Sequence, residues 1–455
     1  MELKNKRVLV VGLGKSGVAA AHFLQQRGAR VTVSDSKAEA QLRGEIPGLL
    51  EQGITVETGG HGERTFREQE LIVVSPGVPY EVPQLQQARQ FGIPVIGEVE
   101  LAARFLQGKI VAITGSNGKT TTTTLCGEIL EHSGLETMVG GNIGMPVVSM
   151  VAASTPQSWN VLEISSFQLE TVEKFHAHIA VVLNITADHL DRHRSMEGYI
   201  AAKARIFENQ RGDDFAVLNA DDPVCVSLAG KARSQVVWFS RKAAVERGAF
   251  LRGETIFWRS AGGEFEVMPV AEIPLKGAHN LENVLAAVCV ASLAGCFATQ
   301  TREAVRAFQA VEHRLEFVAN INGVAYYNDS KATNVDATAK ALESFPSNIH
   351  IILGGKDKGS DYSVLKDLLR QRARRAYTIG AAAEKIESQI AGSTPIERTH
   401  TLQAAVERAA ELASPGDVVV LAPACASFDQ FENYEHRGRV FKDAVHALAR
   451  QKGAA

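Results

Sequence analysis

The segment from Ile110 to Thr124 constrains this chain more than any other. Its apolar run, 110–113, reads as a buried strand. Small residues follow from Thr114 to Gly118, and Lys119-Thr120 opens a stretch in which Leu125, Ile129 and Leu130 recur at helical spacing. A strand that turns through glycines into a helix presents backbone N–H groups and the helix N-terminus to an anion. A lysine there adds positive charge, and the hydroxyl after it can ligate Mg²⁺. Gly115, Ser116, Asn117, Gly118, Lys119, Thr120 and Thr121 are therefore expected to cradle a polyphosphate. Ile113 stands where the strict phosphate-loop pattern has glycine.

The loop lies in mid-chain, and 455 residues leave room for two to four domains. The chain carries 48 Lys plus Arg against 51 Asp plus Glu, a balance that gives no reason to expect a nucleic-acid partner. No window reaches the roughly 20 apolar residues of a membrane span, so membrane insertion is not expected. Five cysteines form no CxxC pair and no zinc spacing, which suits a reducing, cytoplasmic setting.

Apolar runs alternating with helical stretches give the organisation. The first strand begins at Arg7 and turns through Gly12-Leu-Gly14-Lys-Ser-Gly17 into a helix ended by Gly28. A second strand, 30–34, stops at Asp35, and further strands fall at 70–75 and 93–96. This is a Rossmann-like opening, and its glycines with Asp35 match a dinucleotide fingerprint that a diphosphate site could equally use. A second α/β unit follows from Lys109, with strands at 110–114, 159–164, 179–185, 214–219 and 236–239, then antiparallel hairpins over 248–269. A third unit carries strands at 324–328, 349–354, 376–379 and 418–422.

Polar clusters sit at the ends of these strands. Glu163 closes an apolar strand, where its carboxylate could hold Mg²⁺ opposite Thr120 or pair with a surface cation. Asn184-Ile-Thr-Ala-Asp188-His189-Leu-Asp191-Arg-His193 follows the next strand, and His189 could ligate metal or shape the phosphate site. His313-Arg314 and Asn328-Asp-Ser-Lys-Ala-Thr-Asn334 bracket another strand with groups suited to carboxylates or other anions. Gly354-Gly-Lys-Asp-Lys358 and Pro423-Ala-Cys-Ala-Ser-Phe-Asp429 repeat that placement. Cys425 reads as a small packed residue, and Lys203 is mute from spacing alone.

Together these segments resemble the Mur ligase family, the ATP-dependent amino-acid-adding enzymes of bacterial cell-wall synthesis. The resemblance covers essentially the whole chain. It rests most on Thr114-Gly-Ser-Asn-Gly-Lys-Thr-Thr, Glu163-Ile-Ser-Ser-Phe-Gln-Leu-Glu, Asp188-His189, His313-Arg314, Asn328-Asp-Ser-Lys-Ala-Thr-Asn and Ser427-Phe-Asp-Gln-Phe. It implies three α/β domains: a Rossmann-like domain for a UDP-linked substrate at 1–97, a central P-loop-type ATP domain at 98–309, and a Rossmann-like amino-acid domain at 310–455. Lys15, Ser16, Ser36, Lys37 and Gly77 would line the uridine diphosphate. Asn142 and His189 would reach the muramoyl-peptide end. Thr120 and Glu163 would form one Mg²⁺ site, and His189 with a carbamate on Lys203 a second. Asn280, Asn283, Arg314 and Asp329 would surround the nucleoside and γ-phosphate of ATP. Lys331, Thr333, Lys358, Ser427, Phe428 and Tyr434 would take D-glutamate, Tyr434 standing where the family carries Phe.

Lys119, His189, Lys203, Arg314 and Lys331 would then be the catalytic set. The second substrate would be UDP-N-acetylmuramoyl-L-alanine, and the protein a cytoplasmic monomer. No Asp-Asn-Pro-Arg segment, expected of the diaminopimelate-adding relatives, occurs. Two alternatives stay open from the residues: an NAD(P)-dependent dehydrogenase built on the N-terminal glycines, and a nucleotide switch that holds ATP without joining two substrates.

Overall fold

The computed structural model describes residues 1–309 and 311–451. Residue 310, where the third domain is expected to begin, lies outside the described residues, as does the side chain of Asp191. Mixed α/β structure is built on three sheets, as the sequence leads one to expect. Two compact units hold them: Met1–Pro269 with Val284–Val305, and Val270–Asn283 with Arg306–Ala455.

The first unit contains two of the sheets. One is five-stranded and wholly parallel, in the order Thr55–Thr58, Arg30–Asp35, Arg7–Val11, Leu71–Val74, Val95–Gly97. Its central strand is flanked on opposite sides by the strands that follow it, so the chain reverses direction beside Arg7–Val11. A crevice opens at such a switch point, at the C-terminal ends of the strands. Gly17 is the glycine on which the crevice depends: a Cβ there would lie 1.9 Å from the Gly12 carbonyl oxygen, so only glycine lets the helix Lys15–Gln26 pack this close to the turn.

The other sheet of this unit has nine strands. Thr137–Gly141, Trp159–Glu163, Lys109–Thr114, Ile179–Val182, Phe215–Asn219, Gln235–Ser240 and Gly248–Arg252 run parallel. Thr255–Ser260 and Gly263–Pro269 extend the edge as the antiparallel hairpins expected over 248–269. The inner strands are apolar without alternation because both faces are covered: Val111, Ala112 and Ile113 are fully buried, as are Ile179 through Val182.

The second unit carries six strands, in the order Glu316–Ile321, Val324–Asn328, Val418–Leu421, Ile349–Gly354, Ala373–Ile379, Ile396–His400, with only the first pair antiparallel. Ile349, Ile351 and Leu353 pack with Leu365, Leu369 and Ile386 on one face. Ile352, Tyr377 and Leu421 pack with Leu402, Phe441 and Val445 on the other. No helix among the described residues is long and apolar enough to cross a membrane.

Candidate active site

The strand Lys109–Thr114 runs into Gly115, and the helix Lys119–His132 starts after Gly118, whose φ of +85° is the left-handed conformation that favours glycine. The loop between them is held from the neighbouring strand end. Ser116 N–H donates to the Asn184 carbonyl (2.9 Å), Asn117 N–H donates to Asn184 Oδ1 (2.9 Å), and Asn184 Nδ2 donates back to the Asn117 carbonyl (3.0 Å). Ser116 Oγ donates to the Thr186 carbonyl and lies 3.1 Å from the Tyr199 hydroxyl. The loop's shape is therefore set before any ligand arrives, and the first turn of the helix behind it is the part with N–H groups to offer an anion.

Two lysines converge on one carbonyl of this loop. Lys119 Nζ donates to the Gly115 and Ser116 carbonyls, each at 2.8 Å. Lys203 Nζ donates to the same Gly115 carbonyl at 2.8 Å and to Thr114 Oγ1 at 3.3 Å. Lys203 is 1% exposed. Burial, and then the Lys119 charge, hold its amine well below the ordinary lysine range, against the opposing pull of Asp188 and Glu163. Two lysine amines on one loop carbonyl, one of them with a weakened hold on its proton, set this loop apart from an ordinary solvated turn.

Glu163, also 1% exposed, lies at the end of the adjacent strand. Its Oε2 accepts from the Thr120 hydroxyl at 2.7 Å, and its Oε1 accepts from Asn142 Nδ2 at 2.8 Å. Asn142 N–H donates to the Glu163 carbonyl as well (2.8 Å). Three residues far apart in sequence thus form one hydrogen-bonded chain, in which the Thr120 hydroxyl and the Glu163 carboxylate are the hard oxygen groups. His189 takes a left-handed conformation (φ +54°) ahead of the short helix Leu190–His193. Its Nε2 is 3.6 Å from Asp188 Oδ2, and its ring meets Phe167 edge-on at 4.9 Å.

In the five-stranded sheet, Lys15, Ser16, Ser36, Lys37 and Gly77 all follow strand ends at the switch-point edge. Lys15 Nζ donates to the Gly144 carbonyl at 2.5 Å, on the turn that carries Asn142. Asp35 differs from a ribose-binding acid: its Oδ2 accepts from Leu13 N–H (2.7 Å) and its Oδ1 from Lys37 N–H (2.8 Å), so the carboxylate ties the glycine turn to the turn after its own strand.

The second unit brings its own strand-end loops together. Gly354–Lys358 and Pro423–Ser427 flank the switch point between Ile349–Gly354 and Val418–Leu421, joined by Lys356 N–H to Ala426 O (2.8 Å) and the return bond at 3.1 Å. Lys331 Nζ sits 3.6 Å from the centre of the Tyr434 ring. Ser427 is buried, whereas Phe428 is 67% exposed and Lys358 is exposed. Leu315 N–H donates to Asp329 Oδ1 at 3.3 Å, and burial raises the Asp329 carboxyl to about 7 despite the neighbouring Arg314 charge. Asn280 and Asn283 are buried and bonded to each other, Asn283 Nδ2 donating to Asn280 Oδ1 at 3.1 Å.

Comparison with known proteins decides the family. Residues 6–97 match the Mur ligase MurD-like N-terminal domain, 113–291 the Mur ligase middle domain, and 313–425 the Mur ligase glutamate ligase domain. The chain is 63% identical to UDP-N-acetylmuramoylalanine–D-glutamate ligase of Koribacter versatilis, over 99% of this chain and 100% of that one. The protein of the same name from Solibacter usitatus is 54% identical over 98% and 99%. The chain belongs to the Mur ligase family. The UDP-N-acetylmuramate-alanine ligase of Thermotoga maritima shares the fold at TM-score 0.60 and 18% identity, over 98% of this chain and 100% of that one.

Sequence reasoning missed one buried residue of this Mur ligase. Arg437 is fully buried on the C-terminal helix Tyr434–Gln451. Its Nε donates to Ser330 Oγ (2.9 Å), Nη2 to the Ser330 carbonyl (2.8 Å), and Nη1 to the Cys425 carbonyl (3.1 Å), with Ala426 O at 3.4 Å. Burial lowers its guanidinium to about 10. One side chain therefore holds the Ser330 turn and the Cys425–Ala426 turn at a fixed separation. A lone arginine in a helix has no spacing to betray this. Arg437→Ala is expected to lower stability by about 3 kcal/mol, because three loop carbonyls lose a charged donor. It should also raise KM for the amino acid more than KM for ATP. Equal changes in both would mean that Arg437 does not set the loop spacing.

Proposed function

We propose that this Mur ligase joins D-glutamate to UDP-N-acetylmuramoyl-L-alanine at the expense of ATP, as a monomer in the cytoplasm. The observation that carries the ligase reading is the convergence of Lys119 and Lys203 on Gly115 beside the Thr120–Glu163 pair. D-glutamate as the amino acid is supported by the similarity to the UDP-N-acetylmuramoylalanine–D-glutamate ligases of Koribacter versatilis and Solibacter usitatus. The domain limits 1–97, 98–309 and 310–455 go with this reading.

In it, the L-alanyl carboxylate attacks the γ-phosphorus of ATP, giving an acyl phosphate and ADP. The D-glutamate amine then attacks the acyl carbon, and the tetrahedral adduct collapses to amide and inorganic phosphate. Gly115 to Thr121 wrap the phosphates. Lys119, Arg314 and Lys331 meet the charge that spreads over the transferring oxygens. Asn280, Asn283 and Asp329 take the nucleoside side of ATP. Lys15, Ser16, Ser36, Lys37 and Gly77 hold the uridine diphosphate, and Asn142 with His189 the muramoyl-peptide end. Thr333, Lys358, Ser427, Phe428 and Tyr434 join Lys331 in fixing the glutamate, so that its amine is aimed at the acyl carbon.

The donor set fits Mg²⁺. The Thr120 hydroxyl and the Glu163 carboxylate are hard oxygen ligands already 2.7 Å apart, and Asn142 fixes the carboxylate's other oxygen. His189 and Lys203 fit a second ion only if the amine becomes a carbamate, which the low affinity of the buried amine for protons favours. Bound there, Mg²⁺ would offset negative charge on the phosphoryl oxygens. Glu163→Gln is expected to raise the Mg²⁺ concentration for half-maximal rate by about tenfold or more. An unchanged Mg²⁺ dependence would remove Glu163 from the ion site.

Phosphate release is the deciding assay. It should require both UDP-N-acetylmuramoyl-L-alanine and an amino acid, with D-Glu chosen from a panel that includes L-Glu, L-Lys and diaminopimelate. Release with ATP alone would favour the nucleotide switch. The dehydrogenase alternative is not favoured, since both Asp35 oxygens already accept from backbone N–H groups, those of Leu13 and Lys37. Tight binding in an NAD(P)H fluorescence titration would revive it.

A further inference from the structure

Arg192 is used by none of the roles above, yet it has an unusual set of partners. It lies on the short helix Leu190–His193 that follows His189, and its side chain is 17% exposed. Nη1 donates to the Pro76 carbonyl at 3.0 Å and Nη2 to the Val78 carbonyl at 3.3 Å. These two carbonyls bracket Gly77, on the turn after the strand Leu71–Val74 of the five-stranded sheet. Nη2 also donates to Glu170 Oε2 at 2.7 Å, which fixes the guanidinium plane. The same guanidinium stacks over the Phe167 ring at 4.1 Å. The Phe167 ring, in turn, meets the His189 ring edge-on at 4.9 Å and stacks with the His193 ring at 5.5 Å.

One planar, rigid cation therefore touches the Gly77 turn on one side and the aromatic wall behind His189 on the other. Arginine suits this because its fork can serve two carbonyls and a carboxylate while its face stays on a ring. Lysine offers a point charge and no face. His189 sits in a left-handed conformation, at the start of a helix of one turn, so its seat depends on what packs against its ring.

We propose that Arg192 is a positioning residue that couples occupation of the Gly77 turn by the uridine diphosphate to the placement of His189, through Phe167. The inference rests on the reading of that turn as part of the uridine diphosphate site. Movement of the Pro76 and Val78 carbonyls on ligand binding shifts the guanidinium, and the ring beneath it carries the shift to His189. Two sites joined by one side chain influence each other reciprocally, typically by about 5- to 150-fold in affinity.

Hydrogen exchange of the whole protein with UDP alone as the probe separates this coupling from direct contact, because UDP lacks the muramoyl-peptide arm assigned to His189. UDP is expected to protect the Gly77 and Val78 amides of the 76–78 turn and also to slow exchange at 187–194 by about fivefold or more. In Arg192→Lys the protection at 76–78 should remain and that at 187–194 should vanish. Phe167→Leu keeps every hydrogen bond of Arg192, removes only the ring, and should give the same loss even if the arginine variant folds poorly. Protection at 187–194 that survives in either variant overturns the coupling, as does its absence in the wild type while 76–78 is protected. No protection at 76–78 in the wild type overturns the uridine diphosphate reading itself, and the coupling with it.

Discussion

Lys119→Ala is expected to lower kcat by about a thousandfold or more, while the midpoint of thermal unfolding moves little. The two halves of the prediction have different origins. In the structure the Lys119 amine bonds to the Gly115 and Ser116 carbonyls of its own loop. Two such bonds at a half-buried position contribute roughly 1–2 kcal/mol to stability. The loop keeps its shape without them, because Asn184, Thr186 and Tyr199 hold it from outside. Catalysis has no such reserve. A cation aimed at transferring oxygens in a partly dry site is worth far more than the same cation in water. Steady-state kinetics with ATP varied, beside a melting curve, checks both halves. Near-normal turnover would refute the phosphate-loop role, and a large drop in melting temperature would mean that the lysine is structural.

A second consequence of the same substitution concerns Lys203. The Lys119 charge is one of the causes that lower the proton affinity of the Lys203 amine. Without it, the buried amine should bind a proton more readily and carbamylate less. Part of the lost activity of Lys119→Ala would then come from Lys203, so the two substitutions should not add.

How much of this was legible in the sequence varies by element. The buried parallel strands were readable because an inner strand covered on both faces is a continuous apolar run, as at 110–113 and 179–182. Thr55–Thr58, Thr137–Gly141, Glu316–Ile321 and Ile396–His400 escaped the reading, and each lies at the edge of its sheet. An edge strand buries less and carries polar residues, as Ile396-Glu-Arg-Thr-His400 does, so its pattern resembles that of a loop. The strand expected to reach 185 stops at Val182 because Asn184 turns to serve the phosphate loop. Loop chemistry near the strand ends was visible wherever it is local, as in Lys119-Thr120. Partnerships across long separations were not: Asn142 with Glu163, Lys15 with Gly144, and Arg437 with Ser330 and Cys425 exist only once the sheets bring those ends together. Segment Val270–Asn283 shows the same limit, since it packs with the second unit although the chain continues into a helix that ends in the first.

Lys203→Ala is expected to lose at least about a hundredfold in turnover, and to regain part of it when acetate or formate is added. The amine is fully enclosed, and its hydrogen bonds go to Thr114 Oγ1 and the Gly115 carbonyl, neither of which is an anion. A protonated lysine is costly in that position, so burial weakens the amine's hold on its proton, and the neutral amine is the form that adds CO₂. The product carries a carboxylate where the unmodified side chain had an amine. Alanine leaves space at that point, and a small carboxylate can occupy it without the covalent link. Lys203→Arg separates this account from a simple need for positive charge. Arginine keeps the charge, cannot become neutral at working pH and forms no carbamate, so it should be as inactive as alanine. It also fills the space, so acetate should not rescue it. Activity in Lys203→Arg comparable with the wild type, or full activity in Lys203→Ala without any added carboxylate, would remove Lys203 from the metal site and leave His189 without the partner assigned to it.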